Sequence, residues 1–186
     1  MLEGLNIWAF KVFDSVASTQ LNYIMSIIGK SFIVVLPLIL IYMLLRKDKN
    51  LFSFAFAVVA LYLIGDAIKL IVKEPRPCNV ADLAWINNIG CEASYSFPSN
   101  HATVLTGLLV FMKRYKYVRI LYLIWLLLVL FGRVYLGLHY FTDIIAGVLI
   151  SIAIVAVIYS YRRAINAILE KIFRFIIRVK IDWKED

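Results

Sequence analysis

Although 63% of this 186-residue chain is apolar, no uncharged run clearly reaches the ~20 residues that a full membrane span requires. The uncharged stretches are Ser15–Gly29, Ser31–Leu45, Leu51–Gly65, Ala102–Met112, Ile120–Gly132 and Ile144–Tyr161, and only the last approaches that length. Histidine is scarce, with His101 and His139 alone. Cysteine is equally scarce: Cys78 and Cys91 are too few to suggest a cysteine-bound metal. Neither an internal repeat nor a low-complexity tract is present, which sets aside repeat arrays and biased tracts. Acidic residues are few, 12 against 20 Lys and Arg, leaving a net charge of +8. No base-stacking or groove-reading motif accompanies that charge, so anionic lipid headgroups are the expected partner and nucleic acid is not.

What is present is total hydrophobicity, with a mean hydropathy of +0.85. Short apolar runs would suit buried helices of a soluble bundle, but a chain this size cannot hide so much apolar surface from water. The alternative is an all-α integral membrane bundle whose helix ends carry functional charges. That pattern predicts five spans at about 20–45, 51–73, 100–113, 117–136 and 139–161 within a single domain covering 1–186. Pro37 is expected to kink the first span, and Lys30 to snorkel from its outer half.

Basic residues set the orientation. Arg46, Lys47 and Lys49, then Lys113, Arg114, Lys116 and Arg119, then the tail from Arg162 to Lys184 fall at alternate span ends. The positive-inside rule places these in the cytoplasm. The amino terminus is then outside and the carboxyl terminus inside. Residues 5–17 mix Leu5, Trp8, Phe13 and Val16 with Glu3, Asn6, Lys11 and Asp14, as an interfacial helix does. Glu3 and Asp14, without an early basic region, argue against a cleavable signal peptide. The tail over 162–186 reads as a basic amphipathic helix on the inner leaflet.

The same alternation sends Lys69, Arg76, Ser99, His101, Arg133 and His139 to the opposite, outer side. Ser99, in Pro98-Ser99-Asn100-His101, is placed to cap a helix whose free amides favour an anion, with His101 in the first turn. An ordinary cap with a surface histidine is the plainer alternative. His139 and Asp143 are four apart, so on a helix the carboxylate can hold one imidazole nitrogen and direct the other. Arg133 can clamp phosphate oxygens with its planar fork. Lys69 and Arg76 lie near the end of the second span, with Asp66 as the expected ion-pair partner of Lys69. The long polar connection 73–98 holds three of the four prolines and both cysteines, and Val80–Asn88 reads as a short interfacial helix. Cys78 and Cys91 could pair if that side is oxidising; two free thiols are the alternative.

Lys69 with Arg76-Pro77, Pro98-Ser99-Asn100-His101, and Arg133 with His139 and Asp143 together resemble the three signatures of the type 2 phosphatidic acid phosphatase superfamily. The likeness spans about residues 66–145 and departs at Asn100 and Gly132, where that family usually has Gly and Ser. The resemblance implies a membrane lipid phosphatase that needs no cofactor or metal. His139 would be the nucleophile oriented by Asp143, and His101 the acid and base. Lys69, Arg76, Arg133, Ser99 and Asn100 would bind the phosphate. Implied substrates are a polyprenyl diphosphate, a phosphatidylglycerol phosphate or lipid A 1-phosphate, acted on at the outer side of a cytoplasmic membrane. Transfer to a lipid or sugar acceptor, or mere anion binding, are the alternatives.

Overall fold

A computed structural model describes residues 10, 12, 13, 15–80, 90–177 and 183. Most of the predicted interfacial helix at 5–17, residues 81–88 of the predicted helix Val80–Asn88 and the end of the tail lie outside these residues. The described helices are α1 (Thr19–Lys30), α2 (Phe32–Leu45), α3 (Leu51–Val72), α4 (Pro77–Val80), α5 (Asn100–Leu108), α6 (Lys116–Tyr135), α7 (Phe141–Ser160) and α8 (Arg162–Ile177). A 3₁₀ turn, Leu109–Met112, extends α5.

The distribution of apolar side chains decides between a soluble bundle and a membrane one. Ile33, Val34, Leu38 and Leu45 on α2, Leu63, Leu70 and Ile71 on α3, Leu121, Leu127 and Phe131 on α6, and Leu149 and Ile152 on α7 are exposed. Lys69, Arg76, Arg133, His139 and Asp143 are buried. A water-soluble fold would reverse both sets, whereas a bilayer solvates this apolar exterior and forces the charges inward. Among the described residues, four segments are long and apolar enough to cross a membrane: Thr19–Leu45, Leu51–Val80, Lys116–Tyr135 and Phe141–Ser160.

The predicted third span is a different kind of element. Asn100–Met112 falls short of the hydrocarbon thickness at ~1.5 Å of rise per residue. It can be short because protein surrounds it: Ala102, Thr103, Val104, Leu105, Gly107 and Leu108 are all buried. Gly147 lets α7 approach it closely, since a Cβ there would come within 2.8 Å of Ala102 Cβ and 2.9 Å of the Ser99 carbonyl oxygen. The first span breaks at Ser31, six residues before Pro37, which α2 accommodates within its length. The Ser31 hydroxyl donates to the Ile28 carbonyl at 2.6 Å and accepts from Trp125 Nε1 at 2.8 Å, so a side chain of α6 fixes the break. Lys30, just before it, is exposed.

The two ends of the bundle differ in chemistry. At one end the Tyr115 hydroxyl donates to Asp48 Oδ2 at 2.6 Å, and Lys113 and Arg162 both lie over the Tyr159 ring. The basic clusters of three connections therefore meet there. Helix α8 docks onto α3 through Asn166, whose Oδ1 accepts from Ser53 N at 2.9 Å and Ser53 Oγ at 2.6 Å. Its Ile168, Ile172, Phe175 and Ile176 remain exposed, the stripe expected of a helix lying on a bilayer surface. Before α1, Phe13 is in edge contact with Phe131 and Tyr135 of α6.

Candidate active site

At the other end, α3 finishes on Lys73 in the left-handed conformation (φ 55°), which redirects the chain toward Arg76. Lys69, in the last turn of α3, is 3% exposed. Its Nζ donates to the Tyr95 and Ser96 carbonyls at 2.7 and 2.9 Å, which pins the loop ahead of α5. These two carbonyls, rather than the Asp66 carboxylate expected from the sequence, are the hydrogen-bond acceptors of Lys69.

Arg76 is 2% exposed, and each of its five N–H groups has an acceptor. Nε donates to the Ser94 carbonyl at 2.7 Å, and Nη1 to the Leu138 carbonyl at 2.5 Å and to His139 Nε2 at 3.2 Å. Nη2 donates to Ser94 Oγ at 2.8 Å and pairs with Glu92 Oε2 at 2.7 Å. One guanidinium thus ties the 90–96 loop to the α6–α7 turn.

His139 is 1% exposed and sits in that turn, which Gly137 closes with a positive φ of 61°. Its Nδ1 lies 3.2 Å from Asp143 Oδ2. A carboxylate accepts and a guanidinium only donates, so the neutral tautomer with the proton on Nδ1 satisfies both neighbours. Nε2 then keeps its lone pair directed toward Arg76. Asp143 is held in turn: Oδ2 accepts from Tyr140 N at 2.9 Å, capping α7, and from the Ser96 hydroxyl.

Arg133, 4% exposed in the last turn of α6, pairs through Nη2 with Glu92 Oε1. Its Nε is buried with no partner among the described residues. Ser99 is fully buried and caps α5, its Oγ accepting from Ala102 N at 3.4 Å. Helix geometry leaves the amides of Asn100 and His101 without intrahelical acceptors. The His101 ring stands edge-on to Phe32 at 4.9 Å, and its buried Nε2 has no partner among the described residues.

The two departures from the family pattern differ in their surroundings. The Asn100 Oδ1 occupies the space left by the missing Cβ of Gly65. A Cβ at Gly132 would lie 3.5 Å from the Met25 carbonyl oxygen, so this position faces α1.

Beside His101 opens an apolar groove of about 290 Å³ between α2, α3 and α5, lined by Phe32, Leu36, Val58, Tyr62 and Leu105 among others. Cys78 and Cys91 form a disulfide, and Cys78 N donates to the Gly137 carbonyl at 2.9 Å.

Three residues at this end carry no motif: Glu92, Ser94 and Ser96. Ser96 stands two before Pro98, and Glu92 directly follows Cys91, but neither has a spacing that marks it. Burial alone would raise the Glu92 carboxyl; Arg133 first and Arg76 second hold it below the usual carboxylate range. It is therefore ionised.

Fold and site together define an all-helical integral membrane protein with a buried cluster of cationic side chains and His139 at one end of the bundle. The profile of the PAP2 superfamily matches residues 50–167. The undecaprenyl-diphosphatase of Sulfolobus acidocaldarius is 30% identical over 77% of this chain and 72% of its own. The lipid A 4'-phosphatase of Bacteroides thetaiotaomicron is 29% identical over 74% and 68%. Among solved structures, the transmembrane PAP2-type phosphatidylglycerolphosphate phosphatase of Bacillus subtilis superposes with a TM-score of 0.67 at 23% identity, over 87% of this chain and 86% of that one. Aquifex aeolicus LpxE superposes at 0.70 with 20% identity, over 84% and 96%. The chain belongs to the PAP2 superfamily and is a membrane-embedded phosphatase.

Proposed function

We propose that this protein hydrolyses the terminal phosphate of a membrane lipid through a phosphohistidine, without a metal ion. The carrying observation is His139, with Nδ1 anchored on Asp143 and Nε2 facing Arg76. That arrangement suits a nucleophile: the carboxylate fixes tautomer and direction, and the cation marks where phosphate oxygens gather.

In the first step the Nε2 lone pair forms the N–P bond as the bond from phosphorus to the lipid oxygen breaks. His101 gives its proton to that oxygen. In the second step His101 takes a proton from water, whose oxygen attacks phosphorus as the N–P bond breaks. Lys69, Arg76 and Arg133, with the first amides of α5, balance charge on the equatorial oxygens. Ser99 holds that helix start in place, and Asn100 borders the groove.

The groove beside His101 fits the hydrocarbon of the substrate, entering from between α2 and α3. A polyprenyl diphosphate is our preferred substrate: the diphosphate of the Sulfolobus relative and the non-Gly residue Asn100 both support it. The positive-inside pattern supports an active site on the outer side of the cytoplasmic membrane. An impermeant thiol reagent that labels reduced Cys78 and Cys91 from outside alone is the check.

Purified protein is expected to release phosphate from lipid phosphates in excess chelator, with one solvent oxygen per phosphate in labelled water. Loss of activity in chelator would overturn the metal-free reading, and phosphate free of solvent oxygen would indicate transfer to an acceptor. Val58→Trp, which fills the groove, is expected to raise KM for long-chain substrates about tenfold, roughly the burial of two methylenes. A short-chain soluble phosphate should be hardly affected. Equal effects on both would place the chain elsewhere.

A further inference from the structure

Glu92 makes two ion pairs, one with each arginine. Its Oε2 lies 2.7 Å from Arg76 Nη2 and its Oε1 pairs with Arg133 Nη2. A carboxylate bridging two guanidinium groups presents the same pair of oxygens that a phosphate would. We propose that Glu92 is an internal counter-anion that keeps the singly charged phosphodiester headgroups of the surrounding bilayer out of this site, while doubly charged terminal phosphates bind tightly enough to displace it. The inference rests on the phosphate-site reading above.

Burial shows which partner can move. The Glu92 side chain is 44% exposed, whereas those of Arg76 and Arg133 are 2% and 4% exposed. The carboxylate can swing into water; the guanidinium groups cannot leave. Three of the Arg76 donors hold the Ser94 carbonyl, Ser94 Oγ and the Leu138 carbonyl, contacts that shape the loop and turn. An incoming anion can take only the donors facing Glu92 and His139 Nε2. Substrate binding is therefore an exchange: phosphate in, carboxylate out.

The competitor is tethered. Cys91, the residue before Glu92, is bonded to Cys78, two residues after Arg76. A displaced carboxylate stays beside the arginines, and tethering raises its effective concentration into the millimolar range or above. A site at headgroup depth meets phosphodiesters at very high local concentration. A diester carries one charge, so exchanging it for Glu92 gains no electrostatic energy and must still desolvate the headgroup. A terminal phosphate carries about −1.5 to −2 at neutral pH and gains from the exchange. The same return of Glu92 helps expel inorganic phosphate.

The test compares wild-type protein with Glu92→Gln in mixed micelles. Hydrolysis of a lipid monophosphate is measured against added phosphatidylglycerol, a diester, and inorganic phosphate binding is followed by calorimetry. The expected result is a Ki for the diester at least tenfold lower in Glu92→Gln, with a comparable tightening for inorganic phosphate, because the same competitor is removed from both. Equal diester inhibition in both proteins would overturn the inference.

A merely structural role for Glu92 would change kcat or thermal stability and leave the affinities for the diester and for inorganic phosphate alone. Should Glu92→Gln fail to fold, the Cys78→Ser/Cys91→Ser double variant asks the same question, because an untethered Glu92 competes less well. Its diester Ki should fall in the same direction, and an unchanged value would be contradictory. If wild-type protein neither binds inorganic phosphate nor hydrolyses lipid phosphates, the underlying phosphate-site reading fails instead.

Discussion

His139→Ala is expected to lower kcat by about ten-thousand-fold or more while leaving lipid binding nearly intact, because groups that act as one catalytic unit fail together. The size follows from the geometry. Its Nε2 lone pair is aimed into the Arg76 cluster, and Asp143 Oδ2 directs it from behind. Without it, the remaining cations can bind the phosphate but no side chain is placed to attack it. Truncation also removes a 1%-exposed ring and leaves Asp143 without its imidazole partner, so a fall in Tm accompanies the loss. His139→Asn restores part of the volume and a donor toward Asp143. It should recover Tm but not turnover, and recovery of turnover would remove His139 from the nucleophile role.

Arg76→Lys is expected to cost about a hundred- to thousand-fold in kcat, the usual loss when one fixed donor to a developing oxyanion is removed. Charge is conserved in this change, so the loss measures the planar fork. Lysine cannot reach the Ser94 carbonyl, Ser94 Oγ, the Leu138 carbonyl, Glu92 and His139 Nε2 together, as Arg76 does. Arg76→Ala should add instability, since each buried acceptor left unpaired costs ~1–3 kcal/mol. Thermal unfolding in detergent separates the two variants: the lysine form, which keeps the charge and can fill some of these acceptors, should lose less Tm than the alanine form. A lysine variant of near-normal kcat would mean that bidentate geometry is unimportant.

Much of the bundle was legible because hydrophobicity and charge act over whole segments. The alternation of basic connections separated the Lys113 and Arg162 end from the Lys69 and His139 end, and the structure keeps those ends apart. The residues with i,i+4 or cap spacing were legible too, because one helix carries the whole relationship, as with His139 and Asp143 or Ser99 and Ala102.

What sequence spacing could not show were contacts formed between segments. The true partners of Lys69 are main-chain carbonyls, and carbonyls carry no sequence signal. Ser94, Ser96 and Glu92 act because the loop folds back beneath Arg76, which no local pattern encodes. The break at Ser31 depends on Trp125 of a distant helix, whereas proline rules point to Pro37. The short α5 looks like a weak span in sequence because hydropathy cannot tell protein-buried helices from lipid-facing ones.

The central claim is a covalent bond to one nitrogen, and rapid quenching of turnover with a phosphorus-labelled lipid tests it most directly. The account predicts an acid-labile, base-stable label on His139, attached through Nε2, that accumulates further when His101→Ala slows hydrolysis of the intermediate. Full turnover with no protein-bound label in either form, or label on any other residue, would contradict it.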